Sequence, residues 1–176
     1  MKFSHLHNHT QFSLLDGAFN ISRLFDKAQK DGMPAMAITD HGNMFGVFDF
    51  VSEAWKNKKV VGKTEDGKDI TEPVVKPVIG CEFYVVENRH KRAFSREERD
   101  QRFHQLFLAK DETGYKNLVK LCSLGFIEGL YGKYPRIDKE LILQYHEGLI
   151  ATTCCLGASV PRTILRKGEE AGEIEF

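Results

Sequence analysis

The sequence predicts an α/β fold in which parallel strands alternate with helices. Apolar runs of strand length alternate with segments of helical periodicity along the whole chain. One run, residues 35–39, is apolar on both faces, which is typical of a parallel strand covered on two sides. No internal repeat is visible, so these runs indicate one sheet, either open or closed into a barrel.

The composition is that of a globular domain with its own core. The 176 residues are 41% hydrophobic and carry no formal net charge, so no overall basic field favours nucleic-acid binding. We expect no membrane span and no targeting segment. The cysteines lack metal-finger or redox spacing, which favours a reducing cytoplasm; they are Cys81, Cys122, Cys154 and Cys155.

The first half of the chain predicts two strands and two helices. Phe3–His7 reads as a strand, and Asn20 caps a helix that runs to Lys30. The apolar run 35–39 is the second strand, and Phe45–Lys58 is a second helix. Its predicted apolar side consists of Phe48, Val51, Ala54 and Trp55.

Two charged segments flank the third strand, Pro77–Val86, which contains Glu82. Val60–Val75 reads as a surface hairpin or a flexible insertion. Glu87–Arg102 reads as a solvated lid or loop, with a phosphate-binding flap as the alternative. Its basic residues are Arg89, His90, Lys91, Arg92, Arg96 and Arg99.

The second half continues the alternation of strands and helices. Phe103–Ala109 is the fourth strand, and Asp111 opens a helix that ends near Phe126. After a loop over residues 125–135, Asp138 caps a short helix to His146, and residues 148–153 form the fifth strand. A helix begins at Ser159, and residues 168–176 read as the start of another helix, as in a fragment.

The segment from His5 to His9 is the strongest candidate for chemistry. Three of the seven histidines in the chain fall within these five residues. Alternation along a strand places His5, His7 and His9 on one face, so two or three imidazoles lie side by side. Neutral imidazole is a common metal ligand, whereas chance enrichment of histidine is the alternative.

Further candidate ligands follow other strands. Carboxyl ends of parallel strands are where ligands gather, and Asp16, His41 and Cys155 follow strands in this way. Glu82 interrupts an otherwise apolar strand, whereas His104 begins a strand, so its place in the same cluster is less obvious from the pattern. Together these residues form the usual ligand set of zinc, manganese or iron. Asp40 is better placed to orient an imidazole than to bind metal.

Each of these residues also has a structural interpretation. Glu82 could pair with an arginine, and His104 could be a hydrogen-bonded core histidine. Cys155 could be an inert buried thiol. His90 and His146 lie in polar surroundings and read as surface residues.

The motifs together resemble the polymerase and histidinol phosphatase (PHP) family. The short matches are His7-x-His9, Thr39-Asp40-His41-Gly42, Gly80-Cys81-Glu82, the strand with His104, and Cys155-Leu156-Gly157. Longer blocks, such as AITDHGNMFG and KPVIGCEFYV, are similar to the PHP domain of bacterial replicative DNA polymerases. The resemblance extends from Phe3 to about Arg166.

The resemblance implies an incomplete, distorted (β/α)7 barrel with a trinuclear metal site. By motif, His7 and His9 bind one ion, while Glu82 bridges to a second ion held by His104 and Cys155. Asp16 and His41 bind a third ion. His5 and Asp40 are expected next to the ligands without binding metal themselves. Zinc or manganese is expected, with iron as a further option and Mg²⁺ for the polymerase part.

The resemblance also implies what surrounds this chain. The last family motif, Asp-x-His, would lie beyond Phe176, so residues 1–176 are expected to be the N-terminal part of a PHP domain. Closing strands and polymerase domains would follow. The link at Val60–Val75 is longer than the family's usual link, which supports an insertion.

Three functions are consistent with this resemblance. The first is a metal-dependent phosphoesterase or 3′–5′ exonuclease within a DNA-directed DNA polymerase. The second is a silent docking module for the polymerase core and a proofreading exonuclease subunit, and the third, weaker one is a histidinol-phosphate-type phosphatase. The expected partners are DNA, the proofreading subunit, the sliding clamp and clamp-loader subunits, with no membrane.

Overall fold

The computed structural model describes residues 3–95 and 98–175, so Arg96 and Phe176 of the predictions above lie outside the described residues. The chain forms two compact units, which are described separately. The first comprises Met1–Asp40 and Phe45–Ile79, and the second His41–Met44 and Gly80–Phe176. Within the described residues, no helix combines the length and apolar character needed to cross a membrane.

The first unit contains two helices, one parallel strand pair and a hairpin. Helix α1 is Ile21–Lys30, strand β1 is Ala35–Ile38, and helix α2 is Val47–Ala54. Strand β1 pairs in parallel with the first four residues of β4, which spans Lys76–Val86. The predicted cap is confirmed, because the Asn20 side chain accepts a hydrogen bond from Arg23 N at 3.3 Å.

The predicted insertion is an antiparallel hairpin. Strands β2 (Lys58–Lys63) and β3 (Asp69–Pro73) pair along their length, with a register irregularity between Val60 and Gly62. Gly67 has φ +83°, a conformation that glycine adopts without steric cost, and it closes the turn. Of the two predicted alternatives, the structure therefore has the hairpin.

The predicted strand Phe3–His7 is wrong, because residues 3–9 form no regular strand. Two backbone bonds still link this segment to the region of β1, from Ala37 N to His5 O and from Thr39 N to Asn8 O, both 3.0 Å. The acceptors are three residues apart whereas the donors are two apart. This mismatch prevents the even spacing of a parallel ladder.

The predicted apolar face of α2 is only partly confirmed. The helix buries Val47, Phe50 and Ala54, of which only Ala54 was predicted, whereas Phe48 is 80% exposed and Trp55 is 42% exposed. Both sets of residues have helical spacing, and they lie on adjacent stripes of the same helix. Periodicity alone therefore does not decide which stripe faces the core.

The second unit is built around the rest of β4. Residues 80–85 pair antiparallel with β5 (Phe103–Ala109), and β5 pairs antiparallel with β7 (Leu149–Ala151). A short strand that the sequence did not predict, β6 (Arg136–Asp138), pairs in parallel with β4. The helices are α3 Glu112–Ile127, α4 Lys139–Gln144, α5 Ser159–Lys167 and α6 Glu169–Glu175.

The prediction of an all-parallel sheet holds only for the pairs β1–β4 and β4–β6. The pairs β4–β5 and β5–β7 run antiparallel. Strands β4 and β5 are joined by residues 87–102, whose described part contains no helix. A parallel neighbour normally needs a crossover helix, so this connection is consistent with an antiparallel pair. The fold is therefore mixed α/β.

The predicted caps of the second unit are confirmed. Asp111 accepts a hydrogen bond from Gly114 N at 2.9 Å at the start of α3. Asp138 accepts one from Leu141 N at 3.2 Å at the start of α4. Both side chains thus satisfy backbone N–H groups that the helix itself leaves without partners.

The prediction of a solvated lid over Glu87–Arg102 is wrong for Arg89, which is 7% exposed. Its guanidinium donates to Asp138 at 2.8 and 3.0 Å, to Glu128 at 2.7 Å and to Glu140 at 3.0 Å. These three carboxylates hold the pKa of Arg89 above its ordinary value, although burial acts in the opposite direction. The charge is therefore already neutralised within the fold, and Arg89 is not a phosphate ligand.

Candidate metal centre

The first unit contributes a pair of histidines and one carboxylate. The rings of His7 and His9 lie 4.9 Å apart, and their ligand atoms are within 4.8 Å of each other. The carboxylate of Asp16 also lies within 4.8 Å of a ring nitrogen of His9. His5 is exposed and packs its ring against Phe3, so two imidazoles of the predicted two or three lie together.

Asp40 orients the loop that carries His9 and Asp16. Its buried carboxylate accepts hydrogen bonds from Thr10 N at 2.6 Å, from Thr10 Oγ1 at 2.7 Å and from Ser13 Oγ at 2.6 Å. These bonds fix the backbone between the two candidate ligands. The predicted role of Asp40 towards an imidazole stays a prediction.

The second unit brings three predicted ligands together. The ligand atoms of His41, Glu82 and His104 all lie within 4.8 Å of one another. His104 Nδ1 is hydrogen-bonded to Glu82 Oε1, and His41 Nδ1 lies 3.5 Å from the same oxygen. A backbone bond of 2.8 Å from Gly42 N to Glu82 O holds His41 beside β4. The backbones of His41 and Glu82 form an isolated parallel β-bridge, which brings their side chains close together.

The electrostatics of this group centre on Glu82, which is 1% exposed. Its contacts include two imidazoles, which is consistent with the ligand interpretation considered from the sequence. The hydrogen bond that His104 donates to Glu82 raises the pKa of His104 above its ordinary value, whereas burial lowers it and the negative charge of Glu82 raises it further.

The segment after β7 carries two thiols, Cys154 and Cys155, of which only Cys155 was predicted as a ligand. Cys155 Sγ lies 3.6 Å from His104 Nδ1, beside another candidate ligand. The ligand atoms of Glu82, Cys154 and Cys155 also lie within 4.8 Å of one another. Cys154 was missed, although an adjacent cysteine pair beside a candidate ligand could have indicated it.

Cys154 is held in an unusual conformation. Its φ of +58° is in the left-handed region, which residues other than glycine adopt infrequently. Its backbone N donates to Thr152 Oγ1 at 3.0 Å. Burial, together with the charges of Glu82 and Cys155, raises the pKa of the Cys154 thiol to about 12.

Gly157 and an aromatic cluster set the position of His104. The backbone N of His104 donates to Gly157 O at 3.0 Å, and a Cβ at Gly157 would lie only 2.9 Å from His104 Nδ1. Tyr84 stacks on His41 at 6.0 Å between ring centroids and meets His104 edge-on at 5.4 Å. Tyr84 was not predicted as a residue of this site, although the alternation of side chains places it on the same face of β4 as Glu82.

The remaining predicted residues lie elsewhere. His90 and His146 are exposed, as expected from their polar surroundings. Arg92, a predicted phosphate contact, donates to the backbone O atoms of Arg89 and Glu128. The bond from Arg92 to Glu128 O connects the charged segment to the C-terminal end of α3.

The donors of the second unit fit a divalent metal ion. Imidazole nitrogen, carboxylate oxygen and thiol sulfur are the ligand types of zinc, and nitrogen with oxygen also suits manganese. A buried carboxylate that contacts two imidazoles is a common arrangement around such ions. These residue groups therefore indicate a divalent metal without selecting one.

Comparison with known proteins agrees with this geometry. The chain is 44% identical over 169 residues to the DNA polymerase III subunit alpha of Thermus aquaticus, covering 94% of this chain and 12% of that protein. It is 42% identical to the subunits of the same name from Borreliella burgdorferi and Treponema pallidum, covering 99% and 98% of this chain. It spans 14% and 13% of those two proteins. The family model described as the PHP domain matches residues 5–175, and this chain therefore belongs to the PHP domain family.

Proposed function

We propose that this chain is a metal-dependent phosphoesterase module of a DNA polymerase III alpha subunit. Its substrate would be the terminal phosphodiester of a single-stranded 3′ end, which makes it a 3′–5′ exonuclease. The observation that carries the proposal is the convergence of His41, Glu82 and His104, whose ligand atoms lie within 4.8 Å of one another. Such a group has the ligand types that hold zinc or manganese in hydrolases.

The residues of the chain would bind and orient. Glu82 supplies a negative charge that is removed from water, so it attracts a cation strongly. His41 and His104 are oriented by Glu82 and Tyr84, which limits their rotation before any ion arrives. The bound metal would supply Lewis acidity and a nucleophile at neutral pH. The family motif adds His7, His9, Asp16 and Cys155 to the ligand set.

The polymerase context rests on the relatives, whose length is mostly outside this chain. DNA synthesis would reside in other parts of the parent protein, together with its Mg²⁺ requirement. The parent would bind DNA, a proofreading exonuclease subunit, the sliding clamp and clamp-loader subunits. These partners belong to the proposal for the parent protein, and the hydrolytic proposal is tested separately.

The test is hydrolysis of a 3′-labelled single-stranded oligonucleotide by the purified chain with Mn²⁺ or Zn²⁺. Glu82→Gln keeps the shape of the side chain but removes its charge, so we expect loss of bound metal and at least a tenfold loss of activity. His146→Ala removes an exposed histidine and is the matched control. Equal activity in Glu82→Gln and the wild type would refute the proposal. Cleavage confined to a small phosphomonoester would favour the phosphatase instead.

A structural and docking module is the second candidate. The observation in its favour is that His41, Glu82, His104 and Cys155 belong to four separate segments of the second unit. A bound ion would cross-link these segments and thereby stabilise the fold without any turnover. In that case a chelator lowers the melting temperature strongly, while the wild type shows no hydrolysis of oligonucleotides.

A further inference from the structure

We propose that Cys154 is a metal ligand and that, with Cys155 and Glu82, it makes this part of the site selective for thiophilic ions. The inference rests on the proposed metal function but goes beyond the ligand set that the family motif implies, which contains one thiol. Only the neighbouring residue, Cys155, was predicted as a ligand from the sequence.

The first argument is geometric. The thiol sulfurs of both cysteines and a carboxylate oxygen of Glu82 lie within 4.8 Å of one another. Ligand atoms around one tetrahedral zinc ion lie roughly 3.3–3.8 Å apart, given zinc–sulfur and zinc–oxygen distances of about 2.3 and 2.1 Å. The three atoms therefore need only small movements to share an ion, and a fourth position stays open for water or a phosphate oxygen.

The second argument is the backbone of Cys154. A left-handed conformation at a residue with a Cβ is unfavourable, and such residues concentrate at functional sites. This conformation is held by the hydrogen bond from Cys154 N to Thr152 Oγ1. It turns the chain so that two consecutive side chains both reach Glu82, whereas in an extended segment consecutive side chains point to opposite faces.

The third argument is charge. Three groups that can each be negative lie together and half-buried or buried, which is unfavourable unless protons or a cation neutralise them. A divalent ion neutralises such a group and stabilises thiolates directly. Two thiolates favour zinc, cobalt or cadmium over manganese and magnesium.

The test is a titration of the purified, reduced chain with Co²⁺, which reports thiolate ligands by near-ultraviolet charge-transfer absorption. Cys154→Gly suits the left-handed backbone, so it removes the thiol without disturbing the turn. We expect this variant to lose about half of the absorption, as each thiolate contributes one cobalt–sulfur bond. Cys155→Ser should lose a similar share, and Cys122→Ala, which removes a buried thiol outside the group, should lose none.

A second readout measures selectivity. The ratio of Mn²⁺ to Zn²⁺ dissociation constants should fall at least tenfold in Cys154→Gly, because only zinc loses a preferred ligand. Full absorption and an unchanged ratio in Cys154→Gly, together with loss in Cys155→Ser, would overturn the inference and leave the proposed function intact. Absence of any cobalt–thiolate absorption in the wild type would also overturn the inference, whereas the proposed function is decided by the hydrolysis assay.

Discussion

Adding one methyl group at Gly157 should displace His104 and weaken metal binding. A Cβ there would lie 2.9 Å from His104 Nδ1 and 3.0 Å from Cγ, whereas ordinary contacts begin at 3.4 Å. The ring must therefore retreat by about 0.5 Å. The backbone of His104 has little freedom to follow, since it pairs with Tyr84 and donates to Gly157 O. Overpacking of this kind costs about 1–3 kcal/mol.

The expected result for Gly157→Ala is a tenfold or greater loss of Zn²⁺ affinity, since a displaced ligand of this type costs roughly 10–100-fold. Affinity is measured by competition with a chromophoric chelator, and stability by urea denaturation. Gly62→Ala is the control, because its Cβ would meet only Ile70 Cδ1 at 3.8 Å. If Gly157→Ala binds Zn²⁺ as tightly as Gly62→Ala does, the packing argument for His104 is refuted.

Three further predictions concern stability and reactivity. Asp138→Asn keeps a helix cap but removes the charge that faces Arg89, so it should lower the free energy of unfolding by about 2–4 kcal/mol in urea. Asp111→Asn, a cap without a described ion pair, should change it by less than about 0.5 kcal/mol. Leu15 is fully exposed with φ +66°, so Leu15→Asn should raise it by about 1 kcal/mol, and an unchanged or lower value would contradict the strain argument. Burial raises the pKa of Cys122 to about 11, so the folded state holds its proton longer and stability should fall from pH 9 to about 11, a fall that Cys122→Ala should make smaller.

Local signals in the sequence predicted local structure well. Asn20, Asp111 and Asp138 were each predicted as helix caps, and each accepts the expected backbone hydrogen bond. A cap depends on a donor only three residues away, so little of the rest of the fold can alter it. Strands β1, β4 and β5 were predicted for a similar reason, since each is a mostly apolar run of strand length.

Features that depend on distant residues were not predicted. The partners of Arg89 are 39 to 51 residues away, so nothing in its own charged segment marks it as buried. The direction of the β4–β5 pair is likewise set by a long connection. His41, Glu82 and His104 were predicted as candidate ligands, but their meeting point depends on strand register. Cys154 was not predicted, because its position beside Glu82 depends on one backbone angle.

The alternation of side chains along β4 places core residues on one face of the strand and candidate metal ligands on the other. Cys81 and Phe83 are buried at 0% and 1% exposure, and the ring of Phe83 packs against Phe107. Glu82 and Tyr84 point to the opposite face, where they meet His104. Under the proposed function, substitutions on that face would alter which ion is preferred while the packing behind it stays the same. Evolution could therefore retune or silence such a centre one residue at a time without having to find a new fold.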